Sequence, residues 1–410
     1  MTFEELYRTM LKQAVEEGSV QADDLEASAG HLDCLLHPQD HPLVWPLNPC
    51  TCPKEETHCA AACLFDAIVR RDDGTLAVDP DRCSGCGACI QACQSGNLTA
   101  SRDVLPALDA VKHAKGPVYA LIAPAFLGQF STVVTPGRLR SAFKLLGFTG
   151  MVEVALFADL LTLKEALEFD RNIHTETDFQ LTSCCCPMWI GMIRKLYHEL
   201  MPHVPGAVSP MIAAGRTVKK LHPDAVTIFV GPCIAKKAEA READLAGAVD
   251  YVLTFQEMQD IFQAADIHPE LLEESERDHS SRAGRIYART GGVSEAVRTT
   301  VARLHPERPI QVRTRQADGV PACRAMIEDI RSGQHQANFF EGMGCTGGCV
   351  GGPKVLLDRE TGRENVDRYG DEAEFSTPLD NPYVLKLLRL LGFDTVEEFL
   401  EQSDIFIRHF

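Results

Sequence analysis

The stretch Ala225-Val226-Thr227-Ile228-Phe229-Val230, followed directly by Gly231-Pro232-Cys233, decides the fold class of this 410-residue chain. Its run of apolar, β-branched and aromatic side chains predicts a buried strand. Further strands are predicted at Val118–Ile122, Val152–Leu156, Tyr251–Thr254 and Arg285–Ala288. Helical segments separate these strands, and such alternation indicates parallel sheets covered by helices. Sites in such sheets lie beyond the carboxyl ends of the strands, which is where Cys233 stands.

The helices of this region are predicted from apolar periodicity and from their caps. Residues 161–172 and 256–264 have helical spacing, and Ser294 is predicted to be the N-cap of another helix. A C-terminal helix is predicted to start at Asn381-Pro382. Residues 113–410 are therefore predicted to form one large α/β domain.

Three cysteine segments in this region lie far apart, so only folding can bring them together. They are Thr182-Ser183-Cys184-Cys185-Cys186-Pro187-Met188-Trp189, Gly231-Pro232-Cys233-Ile234-Ala235-Lys236-Lys237 and Glu341-Gly342-Met343-Gly344-Cys345-Thr346-Gly347-Gly348-Cys349. Four cysteine sulfurs are what a [4Fe-4S] cluster needs, and glycines let the backbone approach it closely. The alternative is three unrelated loops whose thiols are merely packed.

The three segments resemble, in the same order, the signature motifs of [FeFe]-hydrogenases, and the resemblance covers roughly residues 45–410. It implies an α/β domain of two lobes with the active cluster between them. It also implies the H-cluster, in which a [4Fe-4S] cluster shares one cysteine with a diiron unit bearing carbon monoxide, cyanide and a bridging dithiolate. The implied reaction is 2H⁺ + 2e⁻ ⇌ H₂.

The resemblance, anchored on Pro187 and Trp189, assigns a role to most of these cysteines. It makes the [4Fe-4S] ligands Cys186, Cys233, Cys345 and Cys349. Cys349 is the one shared with the diiron unit, and Cys185 is the cysteine that moves protons to it. Cys184 is an extra residue, which we interpret as a packed thiol, although a spare or protective thiol is an alternative.

The resemblance also implies side chains around the diiron unit. Lys236 matches a lysine that contacts cyanide, for which an ammonium is chemically suited; an exposed surface lysine is the alternative. Met343 matches a methionine packed on the diiron unit, and Pro232 matches a backbone position lining the same pocket. Gly231 stands where methionine is usual, so we expect open space there. Glu239 also matches the second motif, without an assigned role.

A proton path is predicted on the helix that precedes the first motif. Glu165 and Glu168 are three residues apart and so share a helix face. Counting back from Cys185 places them on the two glutamates of the family's path, although such a pair is more often solvated surface. The serine expected between them is not evident, since 204–207 has no hydroxyl, so water or another side chain is expected to replace it.

A second cysteine-rich region predicts an electron relay. Its core, Cys83-x2-Cys86-x2-Cys89-x3-Cys93, has the spacing of bacterial ferredoxins, in which the fourth cysteine binds the other cluster. The predicted ligand sets are Cys50, Cys52, Cys59 and Cys93 for one [4Fe-4S] cluster, and Cys63, Cys83, Cys86 and Cys89 for the other. A zinc ribbon, or loss of one cluster through the unusual Cys50-x-Cys52 spacing, is the alternative. A helical turn at Phe65–Val69 and a strand at Thr75–Val78 around Asp73-Gly74 complete the expected unit.

These predictions divide the chain into a helical extension at 1–44, a small α+β ferredoxin-like domain at 45–112 and the large domain at 113–410. In the extension, Cys34 lies near His31 and His37 in sequence. A packed thiol is favoured there over a metal site.

Composition limits the function classes. The net charge of −18 argues against nucleic acid and anionic membranes as partners, and no apolar run is long enough to span a membrane. The acidic start lacks the zones of a secretory signal, so 16 cysteines indicate metal in a cytoplasmic protein. The resemblance implies a soluble electron carrier such as ferredoxin, and maturation proteins that insert the diiron unit. A hydrogen or redox sensor of low turnover and a non-catalytic iron–sulfur assembly relative are the alternatives.

Overall fold

The computed structural model describes residues 1–22, 25–53, 57–71, 75–182, 185–275, 279–401 and 403–410. The first elements are α1 Phe3–Glu16, α2 Ala29–Leu36, β1 Val44–Pro46, α3 His58–Ala61, β2 Ile68–Arg70, β3 Leu76–Val78, α4 Ala88–Ala92, β4 Leu98–Ala100 and α5 Val104–His113. Then follow β5 Val118–Ile122, α6 Pro136–Leu146, β6 Gly150–Glu153, α7 Ala155–Asn172, β7 Gln180–Leu181, α8 Pro187–Leu196, α9 Pro210–Leu221, β8 Val226–Gly231, α10 Ala235–Ala240, β9 Tyr251–Thr254 and α11 Phe255–Ala264. The last are α12 Arg282–Arg285, α13 Gly292–Leu304, β10 Thr314–Asp318, α14 Val320–Arg331, β11 Phe339–Met343, α15 Arg359–Asp371, α16 Pro382–Leu390 and α17 Val396–Glu401.

Two parallel sheets organise the large domain, as the alternation of strands and helices predicts. One sheet has the strand order β6-β5-β8-β9 and the other β10-β11-β7, and every neighbouring pair in them is parallel. Strand β8 is buried along nearly its whole length because helices cover both faces of its sheet. Two parallel sheets flanked by helices, preceded by a small cysteine-rich region with two antiparallel sheets, confirm the predicted fold class.

The segment predicted as a strand at Arg285–Ala288 is instead the end of α12 and a 3-10 turn at Ile286–Ala288, so that prediction was wrong. Tertiary contacts override its apolar character. Asp159 on α7 accepts hydrogen bonds from the backbone N–H groups of Ser281 (2.6 Å) and Gly284 (2.8 Å), which holds the first turn of α12. A Cβ on Gly284 would lie 2.0 Å from the carbonyl oxygen of Ala155, so the two helices approach closely.

Two further boundaries differ from the prediction. Helix α13 begins at Gly292 after Gly291, whose φ of +80° suits a residue without a side chain, so Ser294 is inside the helix and is not its N-cap. The predicted strand Val152–Leu156 ends at Glu153, because α7 begins at Ala155. Helices α7 and α13 thus both begin earlier in the chain than apolar periodicity and capping residues predict.

The N-terminal region contains two small antiparallel sheets, and its first helix packs on the core of the large domain. The sheets pair β1 with β4 and β2 with β3. The predicted helical turn at Phe65–Val69 gives way to β2 from Ile68 onwards, and the predicted Asp73-Gly74 turn lies outside the described residues. Helix α1 has a capping box between Thr2 and Glu5 and packs against α5 and α11 in the main apolar core.

The C-terminal segment returns to the second cysteine motif. The buried Arg408 guanidinium pairs with Glu242 and, at 2.7 Å, with Asp244, just beyond α10. Ile407 also forms a β-bridge with Ala207. Among the described helices, none has both the length and the apolar composition needed to cross a membrane.

Candidate functional site

The three cysteine motifs meet because each follows a strand of a parallel sheet. Strand β8 of the four-stranded sheet leads into Pro232 and Cys233. Strands β7 and β11 of the three-stranded sheet lead towards Cys186 and into Cys345, respectively. The carboxyl ends of parallel strands lie at one edge of a sheet, so ligands from both sheets reach the space between them.

Four half-buried thiols come together there: Cys186, Cys233, Cys345 and Cys349. Burial raises the pKa of Cys233 to about 11 and that of Cys349 to about 12, and the charge of Cys186 contributes to both shifts. Burial likewise raises the pKa of Cys345 well above its ordinary value, and the charges of the other three add to this. Such mutual effects require the four sulfurs to be neighbours.

The donor set fits an iron–sulfur cluster. A thiol with so high a pKa keeps its proton unless a cation stabilises the thiolate, and iron ions would supply that charge. The backbone makes room, because a Cβ on Gly344 would lie 2.4 Å from Met188 Cβ, and the Gly344 N–H donates to Cys186 Sγ at 3.3 Å. Within the described ranges, no three Cys, His, Asp or Glu side chains converge as ligands of a single metal ion.

Cys185 is half-buried and packs, like Cys186, against the apolar cluster that contains Met343. Its thiol has a pKa well above the ordinary value because of burial and, next, because of the charge of Glu165. Glu165 is therefore close enough to act on Cys185. Ser183 and Cys184 lie outside the described residues, so the prediction for Cys184 stays a prediction.

The two glutamates of α7 are not solvated surface. Glu165 is 1% exposed, and Glu168 is half-buried and pairs with the fully buried ammonium of Lys164. Burial raises the pKa of Glu168 despite the opposing charge of Lys164. The Glu165 carboxyl thus lies inside the protein, and Glu168, three residues on, lies nearer the surface.

Lys236 is buried beside the cysteines, and the alternative of a surface lysine is wrong. Its Nζ lies 2.6 Å from Glu239 Oε2. Burial lowers the pKa of Lys236, but the charge and hydrogen bond of Glu239 outweigh this effect and raise it overall, so the ammonium stays charged. That charge in turn lowers the pKa values of Cys233 and Cys349 against the larger effect of their burial. Lys236 is thus a fixed positive charge next to the thiol group.

The expected open space at Gly231 is not there. A Cβ on Gly231 would lie 2.6 Å from Phe229 Cε1 and 3.1 Å from Ala123 Cβ. Phe229 is two residues earlier on β8, so its ring lies on the same face of the strand and fills the volume. Pro232 follows at the strand end, and Met343, 2% exposed, packs in the apolar cluster that Cys185 and Cys186 also contact.

Several N-terminal cysteines lie close enough to affect one another's pKa values, and these effects follow the two predicted sets. The first predicted set is Cys50, Cys52, Cys59 and Cys93. Burial and the charges of Cys93 and Cys50 raise the pKa of Cys59. A hydrogen bond with Cys50 raises the pKa of Cys52. In the second set, burial raises the pKa of Cys89 to about 12, with contributions from its three partners, Cys86, Cys83 and Cys63. The assignment of the two ligand sets stays a prediction.

The second set borders the motif cysteines. The charge of Cys86 is among those that raise the pKa of Cys345. A cavity of about 860 Å³, lined in part by Cys63, Cys86 and Cys345, lies at the same junction. The second set therefore lies next to the motif cysteines, and we call it the inner set and the first set the outer set.

Sequence analysis missed several buried groups around the site. Glu341, quoted in the third motif without a role, accepts hydrogen bonds from Ser294 N (2.7 Å), Ser294 Oγ (2.5 Å) and Gly291 N (2.7 Å). It thereby ties β11 to the start of α13. Cys323, fully buried, directs its thiol to the carbonyl of Met343 at 3.3 Å. No spacing signal marks Cys323, because its partner is a backbone oxygen.

The fold and the grouped thiols define an iron–sulfur protein of the α/β class. The family model for the C-terminal domain of the iron-only hydrogenase large subunit matches residues 116–353, and a 4Fe-4S binding domain matches residues 76–99. The first match covers more than half of the chain, and the chain belongs to the iron-only, or [FeFe]-, hydrogenase family. The fold and the recognised motifs agree with this membership.

The chain is similar to several characterised proteins. It is 28% identical to iron hydrogenase 1 of Clostridium pasteurianum over 57% of this chain and 48% of that protein. It is 25% identical to NADP-reducing hydrogenase subunit HndD of Solidesulfovibrio fructosivorans over 74% of this chain and 62% of that protein. The chain thus spans about half to three-fifths of the length of these relatives. A solved structure of HydA1 from Chlamydomonas reinhardtii shares the fold, with a TM-score of 0.62, 21% identity, and coverage of 75% of this chain and 98% of that one.

Proposed function

We propose that this chain is a hydrogenase that catalyses 2H⁺ + 2e⁻ ⇌ H₂. The observation that carries the proposal is the grouping of four thiols beyond strand ends of two sheets, with the buried ammonium of Lys236 on α10 and a separate thiol, Cys185, affected by the buried Glu165 of α7. Structural cysteines alone would not need Lys236 beside them, and an electron carrier alone would not need Cys185 next to Glu165.

In this proposal, Cys186, Cys233, Cys345 and Cys349 hold a [4Fe-4S] cluster, and Cys349 is shared with a diiron unit. When bound, that unit supplies the metal chemistry by which protons and electrons become H₂. Lys236 holds it by charge and hydrogen bonding, and Pro232 and Met343 line its pocket. The pairing with Glu239 keeps the Lys236 ammonium in place, so that its charge is available without reorganisation.

Cys185 exchanges protons with the reacting site, and Glu165 takes them from, or returns them to, the Cys185 sulfur. The raised pKa of Cys185 suits this role because the thiol keeps its proton until a nearby base accepts it. Glu168 then continues the path towards solvent, with Lys164 fixing the position of its carboxyl.

Electrons pass through two [4Fe-4S] clusters in a ferredoxin-like domain that we place at residues 45–112, between the extension at 1–44 and the large domain at 113–410. The outer cluster is held by Cys50, Cys52, Cys59 and Cys93, and the inner one by Cys63, Cys83, Cys86 and Cys89. Cys86 and Cys345 form the contact between the relay and the catalytic cluster. A ferredoxin-type carrier is the proposed electron partner, and dedicated maturation proteins would insert the diiron unit.

A low-turnover sensor of H₂ is the second candidate, and a specific observation favours it. Phe229 fills the volume at Gly231, so the wall of the second motif differs from the family pattern. A changed pocket wall would alter the access of H₂ to the proposed diiron unit, and the reactivity of that unit, without removing any of the proposed ligands.

The infrared spectrum of the matured protein tests the proposal directly. Bands of bound carbon monoxide and cyanide, together with H₂ production from a reduced carrier, are the expected result. The Cys349→Ser variant is the matched control, since it should lose these bands and the activity while keeping both N-terminal clusters. If the bands are present but turnover is negligible, the result favours the H₂ sensor. If the bands are absent from a fully matured preparation, the chain is a non-catalytic relative.

A further inference from the structure

The loop between Cys345 and Cys349 has a backbone conformation that favours glycine. Gly347 and Gly348 both have a φ of +85°, in the left-handed region. A Cβ on Gly348 would lie 2.8 Å from the backbone nitrogen of Thr290, so a second segment of the chain lies directly against the loop. Since Cys345 and Cys349 are two of the four motif thiols, whatever fixes this loop also fixes half of the proposed ligand set.

The carboxylate of Asp318 holds the loop to that segment. Its Oδ2 accepts the Gly347 N–H at 3.1 Å and the Thr290 hydroxyl at 2.9 Å. The Thr290 N–H in turn donates to the Gly347 carbonyl oxygen at 3.1 Å, so both backbone groups of Gly347 are hydrogen-bonded. Asp318 is itself fixed, because it ends β10 and is paired in the sheet with Met343, two residues before Cys345.

The negative charge of Asp318 has no cationic partner in the described part of the chain. Arg289, the guanidinium next to Thr290 in sequence, pairs with Glu295 and Asp367 at 2.5 Å each and is therefore already matched. A hydroxyl and an N–H stabilise the carboxylate without cancelling its charge. Charge near an iron–sulfur cluster is one of the factors that set its reduction potential, and a negative charge opposes the uptake of an electron.

We propose that Asp318 is a positioning residue of the third motif. Its carboxylate holds the loop between Cys345 and Cys349, and its negative charge lowers the reduction potential of the [4Fe-4S] cluster that this loop helps to bind. This inference rests on the proposed function, because the motif cysteines hold such a cluster only in that proposal. The two effects are separable, since both hydrogen bonds end on one oxygen: Asp318→Asn keeps an amide oxygen that can accept both and lacks only the charge, whereas Asp318→Ala lacks both.

The hold on the loop is tested by hydrogen–deuterium exchange of the isolated protein, without hydrogen turnover. Asp318→Ala should speed the exchange of the Gly347 N–H by about tenfold or more, because hydrogen bonds to charged groups are among the stronger ones. Asp318→Asn should exchange close to the wild-type rate. Asp329→Ala is the matched control, since Asp329 lies on α14 and pairs with Arg315 at 2.5 Å. A wild-type exchange rate in Asp318→Ala would overturn the hold.

The charge is tested by redox titration of the protein with its iron–sulfur clusters, followed by electron paramagnetic resonance. Cys345→Ala identifies the signal of the motif cluster by its loss. Asp318→Asn should move the reduction of that cluster to a more positive potential at unchanged iron content. Asp329→Asn, which changes the net charge equally, should leave all potentials in place. An unshifted potential in Asp318→Asn would overturn the electrostatic role.

Failure of this inference is distinguishable from failure of the proposed function. If Cys345→Ala loses a cluster signal that Asp318→Asn does not move, the electrostatic role of Asp318 is wrong and the hydrogenase proposal is unaffected. If the wild type carries iron for the N-terminal clusters only, the proposed function fails and the electrostatic role fails with it. The exchange of the Gly347 N–H then still decides whether Asp318 holds the loop.

Discussion

Cys185 and Cys186 are adjacent in sequence but have different proposed roles, Cys185 in proton transfer and Cys186 as a cluster ligand. The position of Cys186 in the group of four predicts that Cys186→Ala damages or removes the proposed [4Fe-4S] cluster of the motif cysteines. Cys185→Ala should keep the full infrared signature and lose about 10²–10⁴-fold in turnover, the range for a positioned proton-transfer group. Iron content, infrared spectrum and H₂ production of the two variants, with Cys184→Ala as the third, check this.

The expected control result is that Cys184→Ala changes neither metal content nor turnover. If Cys184→Ala instead keeps its metals and stops turning over, the alignment of the first motif is wrong by one residue. If none of the three variants separates metal binding from turnover, protons reach the site by a path that does not include Cys185.

Gly231 gives a prediction about stability at the same scale. Gly231→Ala places a Cβ 2.6 Å from the Phe229 ring, and overpacking of this kind typically costs about 1–3 kcal/mol. Since the contact is specific, combining it with Phe229→Leu should cost less than the sum of the two single changes. Gly150→Ala is the control, because a Cβ there meets the Tyr119 ring at an ordinary 3.6 Å.

Unfolding in urea at fixed iron content measures these differences. Additive losses for Gly231→Ala and Phe229→Leu would mean that the ring moves aside, and that the space at Gly231 is open to a larger residue after all.

At the scale of elements, α7 carries a row of four polar side chains. Asp159, Thr162, Glu165 and Glu168 follow each other at intervals of three residues, and the first three are almost fully buried. At 1.5 Å per residue and 3.6 residues per turn, the row spans about 13 Å along the helix axis and winds about half-way round it. One end fixes α12 through Asp159, and the other end carries the predicted proton path, so a single helix links the architecture of the site to its chemistry.

The different burial of Glu165 and Glu168 predicts that their substitution lowers turnover to different extents. Glu165→Gln should lower turnover by about 10²–10⁴-fold, because it removes the carboxyl next to Cys185. Glu168→Gln should have a smaller effect, since Glu168 is half-buried and solvent can reach its neighbourhood. Steady-state H₂ production measures both, and Glu176→Gln, a surface carboxylate paired with Arg313, is the control. Equal losses in Glu168→Gln and Glu176→Gln would place the proton exit elsewhere.

The elements that could be predicted from the sequence were those with a continuous run of apolar residues. Strands β5, β8 and β9 are apolar and buried, and their positions were predicted to within about a residue. Strand β10, Thr-Arg-Gln-Ala-Asp, has no apolar run, and it is a strand only because β11 pairs with it. The missed elements are thus those that depend on partners distant in sequence, as is the turn at Arg285–Ala288.

The same reasoning applies to the candidate site. Cysteine spacing was enough to predict an iron–sulfur region near the N-terminus, where a 4Fe-4S binding domain matches residues 76–99, because that signal is local in sequence. The occupant of the space at Gly231 could not be predicted, because it depends on which way the Phe229 ring turns. Nor could the hydrogen bond between Asp318 and Gly347, which are 29 residues apart.

For the whole molecule, the order of the cysteine groups predicts how electrons enter. Cys86→Ala should remove the inner cluster and slow turnover with a protein donor much more than with a small dye, which can reach the catalytic cluster directly. Cys34→Ala, a buried cysteine outside all three groups, is the control. H₂ production with each donor measures the ratio, and equal losses with both donors would contradict the relay.

The proposed catalytic ligands are anchored in two different sheets, Cys233 after β8 and Cys345 after β11. A cluster bound to both is a cross-link between the lobes, comparable to a disulfide that closes a loop of more than a hundred residues. Metal insertion would then be a folding event, in which binding energy stabilises one arrangement of the lobes. Calorimetry of the metal-free chain should show the lobes melting separately, whereas the loaded chain should melt as one cooperative unit.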